Sequence, residues 1–90
     1  MEWLVTESIY ITTTDLYGLV LKAGPLKIVA EVSSETPLRP GDILYPEKDA
    51  NYLINNDATH PIKAISAVEF SAGKWRALQA NSEYLSVHAI

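Results

Sequence analysis

Cysteine is absent from this 90-residue chain, which excludes disulfides, thiolate zinc sites, iron–sulfur clusters and a cysteine nucleophile. Glycine is scarce, because only Gly18, Gly24, Gly41 and Gly73 occur. These four form neither a phosphate-binding P-loop nor a Gly-x-Gly-x-x-Gly turn, so we expect no nucleotide-dependent catalysis and no cofactor. No apolar run approaches the roughly 20 residues that cross a bilayer. The sequence therefore predicts a cytoplasmic protein without a membrane partner.

Basic residues are also in the minority, with seven lysines and arginines against eleven acids and a net charge of −4. This balance argues against a nucleic-acid partner, because binding to phosphates requires basic side chains. The acidity is uneven, since residues 1–57 hold nine acids and only four bases. An acidic region of this kind suits a basic protein partner, and it also serves solubility alone.

The length and composition are those of one globular domain, which we predict to span residues 1–90. Hydrophobic residues make up 48% of the chain and charged residues 20%. This is ordinary globular composition, and a chain of 90 residues can bury a core. Disorder over the whole chain is therefore not expected.

The clearest strand pattern runs from Leu26 to Val32, where Leu26, Ile28, Ala30 and Val32 alternate with more polar residues. The turn Arg39–Asp42 follows, because a proline with fixed φ stands next to a glycine there. Other segments rich in β-branched or aromatic residues are predicted as strands. They are Trp3–Thr13, with Trp3, Val5, Ile9 and Ile11 on one side and a bulge or exposed position at Glu7, then 43–45, 52–54, 62–70, 75–79 and 84–90.

Residues 14–23 fit two structures. Leu16, Leu19, Val20 and Ala23 follow the i, i+3, i+4, i+7 spacing of a helix, and Gly24 stands where a helix would end. We predict a short helix on this basis. The alternative is a strand that forms a hairpin at Gly24-Pro25 onto Leu26–Val32, since Gly18 disfavours a helix interior. Together these segments predict a mainly β fold, a small antiparallel barrel or sandwich of about six to eight short strands with at most one or two short helices.

The run Pro40-Gly41-Asp42-Ile43-Leu44, followed by Tyr52-Leu53-Ile54 and Ile62-Lys63-Ala64-Ile65, resembles a Gly-Asp, strand, turn, strand ladder found in many small barrels. Bacteriophage head–tail joining and decoration proteins are among those barrels. The resemblance covers about a quarter of the chain and implies only a fold, because one dipeptide with apolar alternation carries it. It transfers no functional residue.

Chemistry-bearing residues concentrate in the polar stretch from Asn51 to Pro61, which is rich in turn-forming residues. Asp57 and His60 could orient one another as a base or share a metal, but no recognised metal-ligand or triad spacing surrounds them. We therefore assign no catalytic residue and no metal site. Asn55, Asp57 and His60 are instead predicted to bind a partner or a polar ligand.

Tyrosines exceed what a small core needs. Tyr10, Tyr45 and Tyr52 are predicted as interface anchors, because a tyrosine outside the core presents an apolar ring with a polar tip. The main hypothesis is a non-enzymatic binding or assembly protein that acts through protein contacts, with self-association left open. A virus-encoded inhibitor or a virion adaptor would belong to this class. The alternatives are a protein that captures a small ligand beside residues 51–61 and a small hydrolase that uses Asp57 and His60.

Overall fold

The protein is a six-stranded antiparallel barrel with one helix packed against its outside. The computed structural model describes residues 1–47, 51–55 and 57–89, and within residues 57–61 and 81–89 it describes the backbone only. Around the closed barrel the strands follow the order β1-β2-β3-β6-β5-β4. This confirms the mainly β prediction. The elements are β1 (Trp3–Ile11), β2 (Leu16–Ala23), β3 (Leu26–Ser33), β4 (Ile43–Pro46), β5 (Asn51–Ile54), β6 (Asp57–Glu69) and α1 (Ala72–Ala89).

The first three strands form a continuous meander, so the helix predicted for residues 14–23 is wrong. Leu16–Ala23 is strand β2, and it pairs along its length with β1 and with β3. Gly24, with φ of +58°, lies in the tight turn between Ala23 and Leu26. The hairpin that was the alternative for this segment is therefore the observed structure. The helical spacing arises because both faces of β2 are covered, which removes the period-two alternation.

The bulge predicted in β1 is present, and it changes which face its apolar residues occupy. The β1–β2 register shifts between Val5 and Glu7, and Glu7 itself is exposed. Before the shift, Trp3 and Val5 pack into the barrel interior, whereas Ile9 after it packs outside, under the helix. The prediction that Trp3, Val5, Ile9 and Ile11 share one side is therefore wrong, because one extra residue reverses the alternation.

The barrel interior is the main hydrophobic core. Every strand contributes at least one buried residue to it, and Leu38 adds one from the connection between β3 and β4. The most deeply buried of these, at 0–1% exposure, include Leu19, Leu44 and Ile62. The full buried set is Val5, Leu19, Leu21, Ala30, Val32, Leu38, Leu44, Ile54 and Ile62.

A second and smaller cluster attaches the helix to the outer face of the barrel. Its buried members are Val20, Val29 and Trp75, with Ile9, Phe70 and Leu78 packed around them. Ser71 caps the helix, since the backbone N–H of Lys74 donates to its side-chain Oγ at 3.1 Å. The strands predicted at 75–79 and 84–90 are wrong, because both segments belong to α1. Trp75 and Leu78 are three residues apart and meet the barrel on one helix face.

The second half of the chain supplies β4, β5 and the long strand β6. The strands predicted at 43–45, 52–54 and 62–70 are confirmed, with slightly different ends. Part of the stretch predicted as turns is strand instead, because β6 already begins at Asp57. Within the described residues, α1 lacks the length and apolar character that would let a helix cross a bilayer.

Candidate functional site: an exposed apolar surface

Exposed apolar side chains collect where the start of β1, the β2–β3 hairpin and the start of β4 meet. Met1 is 70% exposed, Leu26 48% and Leu4 41%, and Ile43 beside Leu4 is partly exposed. We call these four residues the N-terminal apolar surface. Two shallow depressions cross it, and they share Glu2, Ala23 and Gly24. The four side chains therefore border one continuous region.

Strand alternation explains why Leu4 and Ile43 face outward. Trp3 and Val5 pack into the interior on either side of Leu4, and Leu44 does so next to Ile43. Leu4 pairs directly with Ile43 across the strands. Two apolar side chains thus stand together on the outer face, with Leu4 exposed and Ile43 partly exposed.

Leu26 reaches the same region from the end of the hairpin. It continues the face of β3 on which Ile28, Ala30 and Val32 pack toward the interior. Its own position lies at the hairpin end, opposite Ala23, and the side chain stays exposed. The predicted alternation of this strand is confirmed, but its first residue is surface and not core.

The charges beside the surface balance each other. Glu2 and Lys22 line the same depression as Leu4 and Ile43. One acid and one base in the same place select for neither a basic nor an acidic partner. The feature that distinguishes this surface is therefore its group of apolar side chains.

The predicted tyrosine anchors are not brought together. Tyr45 follows Ile43 by two residues, on the same outer face of β4, and it is half-buried opposite Leu53. Tyr52 packs against the barrel interior instead. Of the two, Tyr45 is the one placed to contribute to the N-terminal apolar surface.

Tyr10 lies near the β1–β2 turn, at the opposite end of the barrel from Leu26. It is 43% exposed, and its ring lies 5.2 Å from the ring of Tyr17. Its hydroxyl donates a hydrogen bond to the Asp15 carboxylate. That bond is the main reason why the pKa of Tyr10 is raised above its ordinary value. Its assignment as a binding residue stays a prediction.

Asn55 closes a hydrogen-bonded turn. Its side-chain oxygen accepts from the Ile43 N–H at 2.9 Å, and its side-chain nitrogen donates to Asp42 at 3.3 Å. Its own backbone N–H donates to the Ile43 carbonyl at 2.7 Å, with φ of +49°. These bonds hold the start of β4 against the end of β5. Asn55 therefore positions Ile43, and its role in binding stays a prediction.

The side chains of Asp57 and His60 lie outside the described residues, so the proposed pairing between them also stays a prediction. Their backbone belongs to β6. Among the side chains that the structure describes, no three histidines, aspartates or glutamates are grouped to hold a metal ion. Sequence reasoning missed Leu4, Leu26 and Ile43 because it searched for polar and aromatic anchors. The available signal was an apolar residue on the outward side of a predicted strand.

The sequence matches the IraM/PmrD family over residues 1–76. Signal transduction protein PmrD of Salmonella typhimurium is 41% identical over 80 residues, which cover 87% of this chain and 94% of that protein. The Escherichia coli protein of the same name is 36% identical over 77 residues, covering 83% and 88%.

Solved structures agree with this match. The crystal structure of E. coli PmrD superposes with a TM-score of 0.82 at 33% identity, covering 90% of this chain and 99% of that one. The solution structure of PmrD from Klebsiella pneumoniae gives a TM-score of 0.74 at 33% identity, covering 88% of this chain and 99% of that one.

These relatives are bacterial, so the viral origin expected from the sequence is wrong. That expectation came from a likeness to small viral barrels, and the likeness concerned only the fold. Sequence and structure together show that the chain belongs to the IraM/PmrD family.

Proposed function

We propose that this chain is a non-enzymatic signal transduction protein that acts by binding another protein through its N-terminal apolar surface. The class of function is supported by the relatives, which carry the name signal transduction protein and align over most of their length. The absence of cysteine suits work in the reducing cytoplasm.

One observation supports the location: of the six exposed large hydrophobic side chains among the described residues, three, Met1, Leu4 and Leu26, lie in this one region. Single exposed apolar residues are normal, but a continuous group of them marks an interaction site. The shallow shape of the surface suits a protein better than a small ligand, because small-ligand sites are concave and enclosed.

The surface also has a rigid base. Leu4 and Ile43 are held by strand pairing, and Asn55 fixes the start of β4 through three hydrogen bonds. A surface formed by strands loses little conformational freedom on binding, so the apolar contact contributes more of its free energy to affinity.

The test compares residues of equal exposure at opposite ends of the barrel. Leu4→Thr and Leu26→Thr remove apolar area and introduce a residue that suits a β-strand, and Tyr10→Thr is the control, because Tyr10 is 43% exposed and Leu4 41%. Proteins retained from a bacterial lysate by the unaltered chain are identified and purified. Each is then titrated against all variants by calorimetry.

We expect Leu4→Thr and Leu26→Thr to weaken binding about tenfold or more, with Tyr10→Thr close to the unaltered chain. Thermal unfolding should show all three variants folded, since exposed substitutions change stability by only about 0.5 kcal/mol. Loss of binding in Tyr10→Thr alone would contradict the proposal and support Tyr10 as the anchor. Equal binding by all variants would exclude both locations.

A further inference from the structure

A groove lies between the helix α1 and the outer face of β3 and β6. It measures about 220 Å³. Val29 and Val68, which pair directly across the two strands, line it on the sheet side, and Ala77 and Leu78 line it on the helix side. The middle of the groove is therefore apolar on both sides, which suits the apolar part of a small molecule.

An acid and a hydroxyl lie at one end of the groove. Glu31 and Ser66 both line it, and they pair directly across β3 and β6, so their side chains share the outer face. Glu31 follows Val29 by two residues, which places it about 7 Å farther along the same face of the strand. Glu31 is partly exposed and Ser66 is exposed. Both groups can therefore meet a ligand that enters from solvent.

A cation lies at the other end, because of the direction in which α1 crosses the sheet. The helix starts next to the C-terminal end of β6, beyond Val68. Leu78 has already reached the level of Glu31, since its side chain lies 3.3 Å from where a Cβ of Gly18 would be, and Gly18 pairs with Glu31. Lys74 also lines the groove, one helical turn before Leu78. It therefore lies toward the Val68 end.

The two opposite charges are not used within the protein itself. In the described part of the chain, neither Glu31 nor Lys74 forms an ion pair with another side chain. A molecule that fills the groove would meet an ammonium at one end, apolar side chains in the middle, and a carboxylate with a hydroxyl at the other end. The charge pattern of the groove thus defines the charge pattern of its ligand.

We propose that this groove binds a short linear zwitterion. The carboxylate of the ligand lies beside Lys74, and its apolar chain passes between Val68 and Leu78. Its ammonium lies beside Glu31 and donates a hydrogen bond to the hydroxyl of Ser66. The ligand is short because the groove is smaller than the roughly 300 Å³ at which drug-sized sites begin. The groove shares no lining residue with the two depressions of the N-terminal apolar surface, so it is a separate site.

The probe is 6-aminohexanoate, titrated into the isotope-labelled full chain and followed by NMR. Binding should shift the amide signals of Val29, Ser66, Val68 and Ala77 until they saturate. Hexanoate lacks the ammonium and 1-aminohexane lacks the carboxylate, so each tests one end of the groove. We expect each of them to bind about two- to fivefold more weakly than 6-aminohexanoate, because an ion pair in contact with water contributes about that much.

Variants of the chain locate the contacts. Lys74→Gln should remove the advantage of 6-aminohexanoate over 1-aminohexane, and Glu31→Gln should remove its advantage over hexanoate. Lys63→Gln is the matched control, because Lys63 is an exposed lysine of β6 that does not line the groove. It should leave binding unchanged. Ala77→Leu fills the groove from the helix side with a good helix former, so it should weaken binding of all three probes about fivefold or more.

Thermal unfolding of each variant shows whether it is folded. If Glu31→Gln does not fold, the comparison of 6-aminohexanoate with hexanoate in the unaltered chain makes the same distinction. The absence of saturable shifts in the groove would overturn the proposal. Equal binding of the three probes would also overturn it, because the end charges would then select nothing. Binding of 6-aminohexanoate that is unchanged in Ala77→Leu would place the site elsewhere and contradict the proposal as well.

Discussion

The two hydrophobic clusters of this protein differ in how they are built. The barrel interior takes buried residues from all six strands and from Leu38, whereas the outer cluster buries three of the described side chains, Val20, Val29 and Trp75. The family match ends at residue 76, so it includes the whole barrel and Trp75 but not Leu78. Among the described side chains of α1, Trp75 is the one that is buried against the barrel, so we expect the barrel to be the more stable of the two units.

The largest effect should follow from a cavity in the interior. Leu19 is fully buried at the centre of β2, and Leu19→Ala should lower the free energy of unfolding by about 4 kcal/mol, because both apolar contact and packing are lost. Urea unfolding followed by circular dichroism and by fluorescence should shift equally with both probes. Exposed Leu26→Ala is the control, with a change of at most about 0.5 kcal/mol. A small effect of Leu19→Ala would contradict the expectation that the barrel interior contributes more to stability than the outer cluster.

Trp75→Ala should cost about 3 kcal/mol, but locally. Trp75 is 6% exposed, and within the described residues its buried indole N–H has no hydrogen-bond partner, so part of the packing loss is offset. Hydrogen exchange should quicken in residues 76–80 and stay slow in β2. Trp75→Phe removes the unpaired N–H and keeps a ring, so it should stay within about 1 kcal/mol of the unaltered chain. Equal quickening in helix and barrel after Trp75→Ala would show a single cooperative unit.

Gly18 tests how closely the helix approaches the barrel. A Cβ at this position would lie 3.1 Å from Ile9 and 3.3 Å from Leu78, both tighter than ordinary contact. Gly18→Ala should therefore cost about 1–2 kcal/mol, measured by thermal unfolding. In a chain that already carries Leu78→Ala, the same Gly18→Ala change should cost less. An equal cost of Gly18→Ala with and without Leu78 would mean that the β1 side chains Ile9 and Ile11 cause the strain.

The barrel was predictable because most strands keep one face in water. Leu26–Val32 alternates as its burial requires, and the short strands around Leu44 and Ile54 were found. The strand at residues 14–23 was not predicted, because β2 lies between the two clusters. Leu19 and Leu21 face the interior, and Val20 faces the helix. Burial on both faces gives a nearly continuous apolar run, and such a run also fits helical spacing.

The helix and the apolar surface escaped prediction for different reasons. In the described part of α1, Trp75 and Leu78 contact the outer cluster, and these two positions alone leave a weak periodic signal that also fits a short strand. The N-terminal apolar surface depends on which residues lie at the end of the barrel. Leu26 has the pattern of a core residue, and only the position of the hairpin turn exposes it. Asn55 was predicted as a binding residue and that stays a prediction, whereas its hydrogen bonds to Asp42 and Ile43 were not predicted, because these partners are distant in the chain.

The barrel closes where β1 meets β4, and the ladder there is two residue pairs long, Trp3 with Leu44 and Leu4 with Ile43, followed by backbone hydrogen bonds from Val5 to Asp42 and from Gly41 to Val5. So short a junction is expected to open before the rest of the barrel when the structure fluctuates. Leu4 and Ile43 stand one on each side of it. A protein bound to both would fasten the junction, and by mass action the folded state would gain stability as that partner became more abundant. The lifetime of the chain in a cell would then depend on the supply of its partner.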